Sequence, residues 1–158
     1  MRASDKITPF QVHFLTKSAK ERGLPKFATS GSVAFDLHAD IDQPLHLKPG
    51  ARTIIELGFK LWINPPGYGG FIFPRSGKAT KSGLILANTV GVIDTDYQGQ
   101  WMLSVMNAGQ VDCLIEPGER IVQCVIMSAL TGFNFVETED FIDTTGRGEG
   151  GFGSTGAA

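Results

Sequence analysis

Gly91-Val92-Ile93-Asp94-Thr95-Asp96-Tyr97-Gln98-Gly99 takes a short apolar run into a carboxylate, then places an aromatic ring three positions later, shortly before a glycine. Asp96, Tyr97 and Gly99 read as the bend of a β-hairpin, since polar residues and glycine between two apolar runs supply the turn. The apolar residues 101–106 are the returning strand. Such a hairpin holds one acid, Asp94, and one ring, Tyr97, over a narrow cleft, while Asp96 faces solvent as a turn residue.

The chain on either side repeats this rhythm of short apolar runs and turn residues. Strands are expected over residues 11–15, 33–38, 53–57, 59–63, 71–73, 84–86, 90–93, 113–115, 121–127 and 133–136. Gly58 between two of them predicts a bulge or bend. Asn64-Pro65-Pro66-Gly67 and Glu116-Pro117-Gly118-Glu119 predict turns. One short helix is expected, around residues 78–81. Strands this short and evenly punctuated indicate an all-β fold, a jelly-roll-like barrel or sandwich. With 158 residues the chain is expected to be a single domain, 1–158, with a mobile start over 1–6 and a flexible glycine-rich arm over 144–158.

Composition narrows the functional classes. An apolar fraction of 42% supports a real core, whereas 19% charged residues and 20 glycines fit a turn-rich β protein better than a helical bundle. A net charge of −2 argues against a protein that coats nucleic acid, because such binders carry a basic excess. One small polyanion needs only a few arginines and backbone N–H groups. Cys113 and Cys124 lie in apolar, strand-like surroundings and read as buried free thiols of a reducing compartment. No apolar run approaches the ~20 residues of a membrane helix, and residues 1–6 lead into no apolar stretch. The expected setting is cytoplasmic, with neither membrane nor nucleic acid as a partner.

Several groups of residues carry chemistry. Asp94, at a strand end, is placed to orient a water and accept its proton as a general base. Arg75-Ser76-Gly77 joins a guanidinium, a hydroxyl and a flexible backbone, a set that suits phosphate oxygens. Gln123, inside an apolar strand, needs a hydrogen-bond partner, either a phosphate oxygen or neighbouring backbone. Asp36 interrupts the apolar alternation of Phe35-Asp36-Leu37. His13, His38 and His46 show no ligand spacing with the cysteines and read as non-metal. In the tail, Gly148, Gly150 and Gly153 match G-x-G-x-x-G, but no strand–turn–helix context follows, so this is no Rossmann or kinase loop. Its glycines still let backbone approach a phosphate chain, with Arg147 adding charge and Phe152 able to stack on a base.

Five segments in fixed order closely resemble the five motifs of the homotrimeric dUTPases. They are Gly31-Ser32-Val33-Ala34-Phe35-Asp36-Leu37, Pro74-Arg75-Ser76-Gly77, the stretch from Gly91 to Gly99, Gly118-Glu119-Arg120-Ile121-Val122-Gln123, and Arg147-Gly148-Glu149-Gly150-Gly151-Phe152-Gly153-Ser154-Thr155-Gly156. The resemblance runs from about Phe27 to Gly156, with a bacterial cast in Ala28-Thr29-Ser30-Gly31-Ser32 and Asp96-Tyr97-Gln98-Gly99-Gln100. It implies hydrolysis of dUTP to dUMP and pyrophosphate by a threefold trimer with three shared sites. It implies Asp94 as base for a water attacking the α-phosphorus, and Arg75, Ser76, Gly77, Gln123, Arg147, Gly153 and Ser154 around the phosphates. Asn88 and main-chain groups of Val92, Ile93 and Met102 would meet the uracil edge. Tyr97 would lie beneath the deoxyribose, where a 2′-hydroxyl would clash, and Phe152 would close the site. Asp36 would reach Mg²⁺ through the ion's water shell, because Mg²⁺ dehydrates reluctantly. Arg120 would be structural. Where the family usually has Ala-Gly, this chain has Val33-Ala34, a departure beside Asp36. Two alternatives share the fold: a dCTP deaminase, which needs a Glu near the pyrimidine that this hairpin lacks, and a nucleotide-sensing regulatory trimer.

Overall fold

Along Gln100–Asn107 the side chains of Trp101, Leu103, Val105 and Asn107 are buried and those between them face outward, the period of two that a half-buried strand requires. This is seen in a computed structural model that describes residues 10–64 and 66–141. Its elements are β1 (Gln11–Phe14), α1 (Lys17–Arg22), β2 (Phe35–His38), β3 (Leu45–Leu47), β4 (Arg52–Trp62) and β5 (Tyr68–Pro74). They continue as α2 (Ser76–Ser82), β6 (Leu84–Leu86), β7 (Gly91–Ile93), β8 (Gln100–Asn107), β9 (Cys113–Ile115) and β10 (Arg120–Ser128). One sheet runs β1-β4-β8-β6, a second β2-β10-β5-β7, and β3 pairs with β9. The fold is all-β, as the rhythm of short strands indicates.

Both sheets contribute to one core, in which Leu37, Ile55, Leu57, Ile72, Leu86, Trp101, Ile115 and Val122 are fully buried. Trp101 is the largest of these, and its indole N–H donates to Leu61 O at 3.1 Å, so it buries no unsatisfied donor. Truncating such a side chain costs about 3–5 kcal/mol. Asn107 is the one buried polar side chain among the described residues, and its amide donates to Leu47 O and Val111 O and accepts from Gly109 N, each at 2.8 Å. Satisfied in this way, it links β8 to the β3–β9 pair instead of weakening the core. Cys113 and Cys124 are buried free thiols, and burial pushes the Cys124 thiol up to about 12.

The runs before and after Gly58 form one strand, β4, and the expected irregularity is there. Gly58 has φ +73°, and the register with β8 shifts between Glu56 and Lys60. A Cβ at Gly58 would lie 2.2 Å from Asp40 Oδ2, so the bulge also lets Asp40 approach the strand.

The structure corrects several expectations. A second helix exists, α1, capped by Thr16 Oγ1 accepting from Ala19 N at 3.1 Å. It buries only Ala19 and so shows no apolar stripe to read. β3, Leu45-His46-Leu47, was not expected; only Leu47 of its three residues is buried, whereas β6 and β9, equally short, each bury two. The strand expected over 33–38 begins at Phe35, with Val33 exposed. The strand expected over 133–136 is absent: Phe133, Phe135 and Val136 are exposed and pair with no strand among the described residues. Among the described residues no helix is long and apolar enough to cross a membrane.

Candidate active site

β10 lies between β2 and β5, and its register assembles a polar corner. Gln123 pairs with Asp36 on one side and Phe73 on the other, while Val122 pairs with Pro74, the residue before Arg75. Asp36, Gln123 and Arg75 therefore come together from three distant segments. Arg75 Nε lies 2.8 Å from Asp36 Oδ1, and Arg120 Nη1 lies 3.2 Å from Asp36 Oδ2. Arg75 Nη1 also donates to Arg120 O at 3.1 Å. Gln123 Nε2 donates to Pro74 O at 3.1 Å, so backbone satisfies it here. Around this corner lies a cavity of about 550 Å³, also lined by Ser76, Gly77, Lys78, Lys81 and Glu119.

The corner is cationic on balance. His38, beside it, titrates below its ordinary 6.5, first through burial and then through the charge of Arg22, with Arg120 and Arg75 adding and Asp36 opposing. Such a field favours a polyanion. It is not a metal cage: both Asp36 oxygens face guanidiniums, and among the described residues no three His, Cys, Asp or Glu side chains stand close enough to hold an ion. Lys78, Lys81 and Glu119 were not foreseen. The signal for the lysines is their spacing of three, which puts both on one face of α2.

Residues 91–99 with the strand that follows do not form the expected hairpin. β7 pairs with β5, whereas β8 pairs with β4 and β6, so the two strands lie in different sheets. Residues 94–99 form an arch between the sheets. Met102 pairs with Glu56, not with Val92 or Ile93. The physical reason is that long neighbours, β4 and β5, outcompete a local partner, and six residues suffice to cross the ~10 Å between packed sheets. Thr95 Oγ1 donates to Ile63 O at 2.8 Å and pins the arch, and Tyr97 Oη donates to Gln100 O at 2.9 Å. Asp94 sits directly after β7, at the strand end as expected, and is exposed. Asn88 is not on a strand; it lies exposed in the turn after β6, beside Thr89 with φ +64°.

These two groups of residues lie at opposite ends of β5. Ile93 pairs with Gly70, which sets Asp94 level with Gly69, whereas Arg75 follows the far end of the strand. At the rise of a strand, the two are about 20 Å apart. Arg147, Phe152, Gly153 and Ser154, with all of the expected arm over 144–158 and the expected mobile start over 1–6, lie outside the described residues.

The dUTPase family model matches residues 20–156 of this chain. A deoxyuridine 5′-triphosphate nucleotidohydrolase of Janthinobacterium sp. (strain Marseille) is 48% identical over 134 residues, covering 84% of this chain and 88% of that relative. The Staphylococcus bacteriophage 80alpha dUTPase with dUPNHPP is similar in fold, with a TM-score of 0.78 and 26% identity, over 94% of this chain and 99% of the other. A mutant dUTPase of phage phi11 of S. aureus, in which a structural Mg(II) ion is coordinated, has a TM-score of 0.74 at 20% identity over 86% of this chain and 100% of the other, a likeness of fold alone. With the all-β body, the polar corner and a match over most of its length together, the chain belongs to the dUTPase family.

Proposed function

We propose that the chain hydrolyses dUTP to dUMP and pyrophosphate at sites completed between copies of itself. The reaction is that of its family; the observation that carries the shared site is the separation along β5. An activated water must stand ~3–3.5 Å from the atom it attacks, so Asp94 cannot serve a phosphate held at Arg75 of the same copy. A second copy supplying the other half removes the conflict, and a third supplies the arm. The outward face of the first sheet supports such contact: Ile54 and Met102 are exposed there, with Ile85 and Met106 paired beside them. A closed homotrimer buries such faces symmetrically.

In this reading Arg75, Ser76, Gly77 and Gln123 hold the triphosphate, and Asp36 keeps Arg75 and Arg120 oriented before it arrives. Asp94 takes a proton from the water that attacks the α-phosphorus, and the charge that passes to the leaving pyrophosphate is met by Arg75 and Arg147. Tyr97 refuses a ribose by clash, Asn88 with Val92, Ile93 and Met102 reads uracil, and Phe152, Gly153 and Ser154 close over the nucleotide. The corner does not fit a protein-held metal ion, and no step is assigned to one. Mg²⁺ would fit as a companion of the triphosphate, supplying charge neutralisation at the phosphate oxygens, and Asp36 is the residue that would meet it through water.

Pyrophosphate release from dUTP, dCTP, dTTP and UTP, each with Mg²⁺ and with EDTA, tests the reading. Mg²⁺-dependent release from dUTP alone is expected. Ammonia from dCTP, or binding of dUTP without turnover, would replace it with the deaminase or the regulatory reading.

A further inference from the structure

We propose that Lys78 is a positioning residue, not a phosphate ligand, and that its ion pair with Glu119 fixes the spacing between the two phosphate-binding segments of the cavity. This rests on the phosphate reading of that cavity given above. α2 buries none of its residues and has no side-chain cap, since Arg75 at its N-cap carries only donors and pairs with Asp36. Something else must hold the helix in place. Lys78 Nζ lies 2.6 Å from Glu119 Oε1 and donates to Leu114 O at 3.3 Å. The pair is largely shielded, with the two side chains 17% and 30% exposed, so its charges are less screened than those of a surface pair.

Glu119 is anchored in turn. Its Oε2 accepts from Glu116 N at 3.1 Å, its carbonyl accepts from Ala39 N at 2.9 Å, and Gly118 N donates to Ala39 O at 2.9 Å. The turn between β9 and β10 is thus tied to the end of β2, and Lys78 ties α2 to that turn. The next residue is Arg120, which pairs with Asp36 and accepts from Arg75. The contacts close a ring: Arg75, Asp36, Arg120, Glu119, Lys78, and back through the first turn of α2. Arg75 and Arg120 share the single charge of Asp36, which leaves them positive on balance, whereas the Lys78 charge is matched one to one by Glu119.

A double-mutant cycle separates the two roles, read as calorimetric binding of dUPNHPP, as kcat and KM for dUTP, and as melting temperature. Lys78→Met and Glu119→Gln should each weaken binding about fivefold, the double variant no more than the worse single, and Lys78→Arg should restore most of the loss. Binding and KM should move while kcat and the melting temperature hold. If Glu119→Gln binds as well as or better than wild type while Lys78→Met binds worse, Lys78 is a direct ligand and the proposal falls. It falls equally if no variant differs from wild type. Where Lys78→Met does not fold, Lys78→Gln with Glu119→Gln removes the same charges with polar side chains and runs the same cycle. Absence of wild-type turnover of dUTP would defeat the reading of the cavity itself, whereas normal turnover with additive singles would defeat only this inference.

Discussion

Arg75 Nε lies 2.8 Å from Asp36 Oδ1, and the same carboxylate meets Arg120 from its other oxygen. One acid thereby holds two guanidiniums at the mouth of the phosphate corner. Asp36→Asn keeps the shape and removes the charge that orients them. Hydrogen bonds to charged groups are worth about 1.5–3 kcal/mol, so kcat/KM for dUTP should fall roughly tenfold or more with the fold retained. Steady-state kinetics beside a circular dichroism spectrum checks this, and an unchanged or improved kcat/KM would contradict it.

Gly99 leaves room for the Tyr97 ring. A Cβ at position 99 would lie 2.4 Å from Tyr97 Oη and 2.5 Å from its ring carbon Cζ. A ring can swing away where backbone cannot, so Gly99→Ala should fold but displace Tyr97 and break its hydrogen bond to Gln100 O. The expected outcome is a dUTP-over-UTP preference reduced by about tenfold or more, since selection by clash depends on the ring's position. Comparing kcat/KM for the two nucleotides decides; a preference equal to wild type would remove Tyr97 as the sugar discriminator.

Asp40 makes stability depend on acid. Burial pushes its carboxyl up, but hydrogen bonds from Ser18, Thr16 and Arg22, and then the Arg22 charge, outweigh burial and hold it below the ordinary 3.8. The unfolded chain therefore binds this proton first. The contribution is fully present above 3.8 and is lost as pH falls through the lowered folded value. His38, also held below its ordinary 6.5, acts in the same direction at higher pH. Urea unfolding from about pH 7 to about pH 3 should show Asp40→Asn less stable than wild type at neutrality, with the gap closing in acid. A gap constant with pH would contradict the account.

The positions of most strands were legible because burial alternates along them and Gly or Pro ends them; Leu84–Leu86 and Cys113–Ile115 match the expected bounds. Partnership was less legible. Residues 91–99 look like a hairpin locally, but pairing is a long-range choice, and β7 and β8 went to β5 and β4. The apolar residues at 133–136 misled for the opposite reason: alternation marks a strand only where a partner sheet receives it, and among the described residues none does. Helix α1 escaped because one buried alanine makes no periodic signal. At the site, Asp36, Arg75 and Gln123 were named from the sequence and do converge. The ion pairs that lock them, and the Lys78–Glu119 tie, link residues some forty or more positions apart and are visible only once β10 is seated between β2 and β5.

The central claim is that Asp94 of one copy activates the water that attacks a phosphate chain held at Arg75 of another. The measurement is turnover in a mixture of Asp94→Asn and Arg75→Ala chains, each inactive alone, refolded together. A general base contributes about 10²–10⁴-fold and a donor aimed at developing charge about 10²–10³-fold, so either variant alone should turn over dUTP at or below about 1% of the wild-type rate. The account predicts that mixing restores a substantial fraction of wild-type activity, because some sites then draw Asp94 and Arg75 from intact halves. Full turnover by Asp94→Asn alone, or no recovery in mixed assemblies shown by mass to contain both chains, would contradict it.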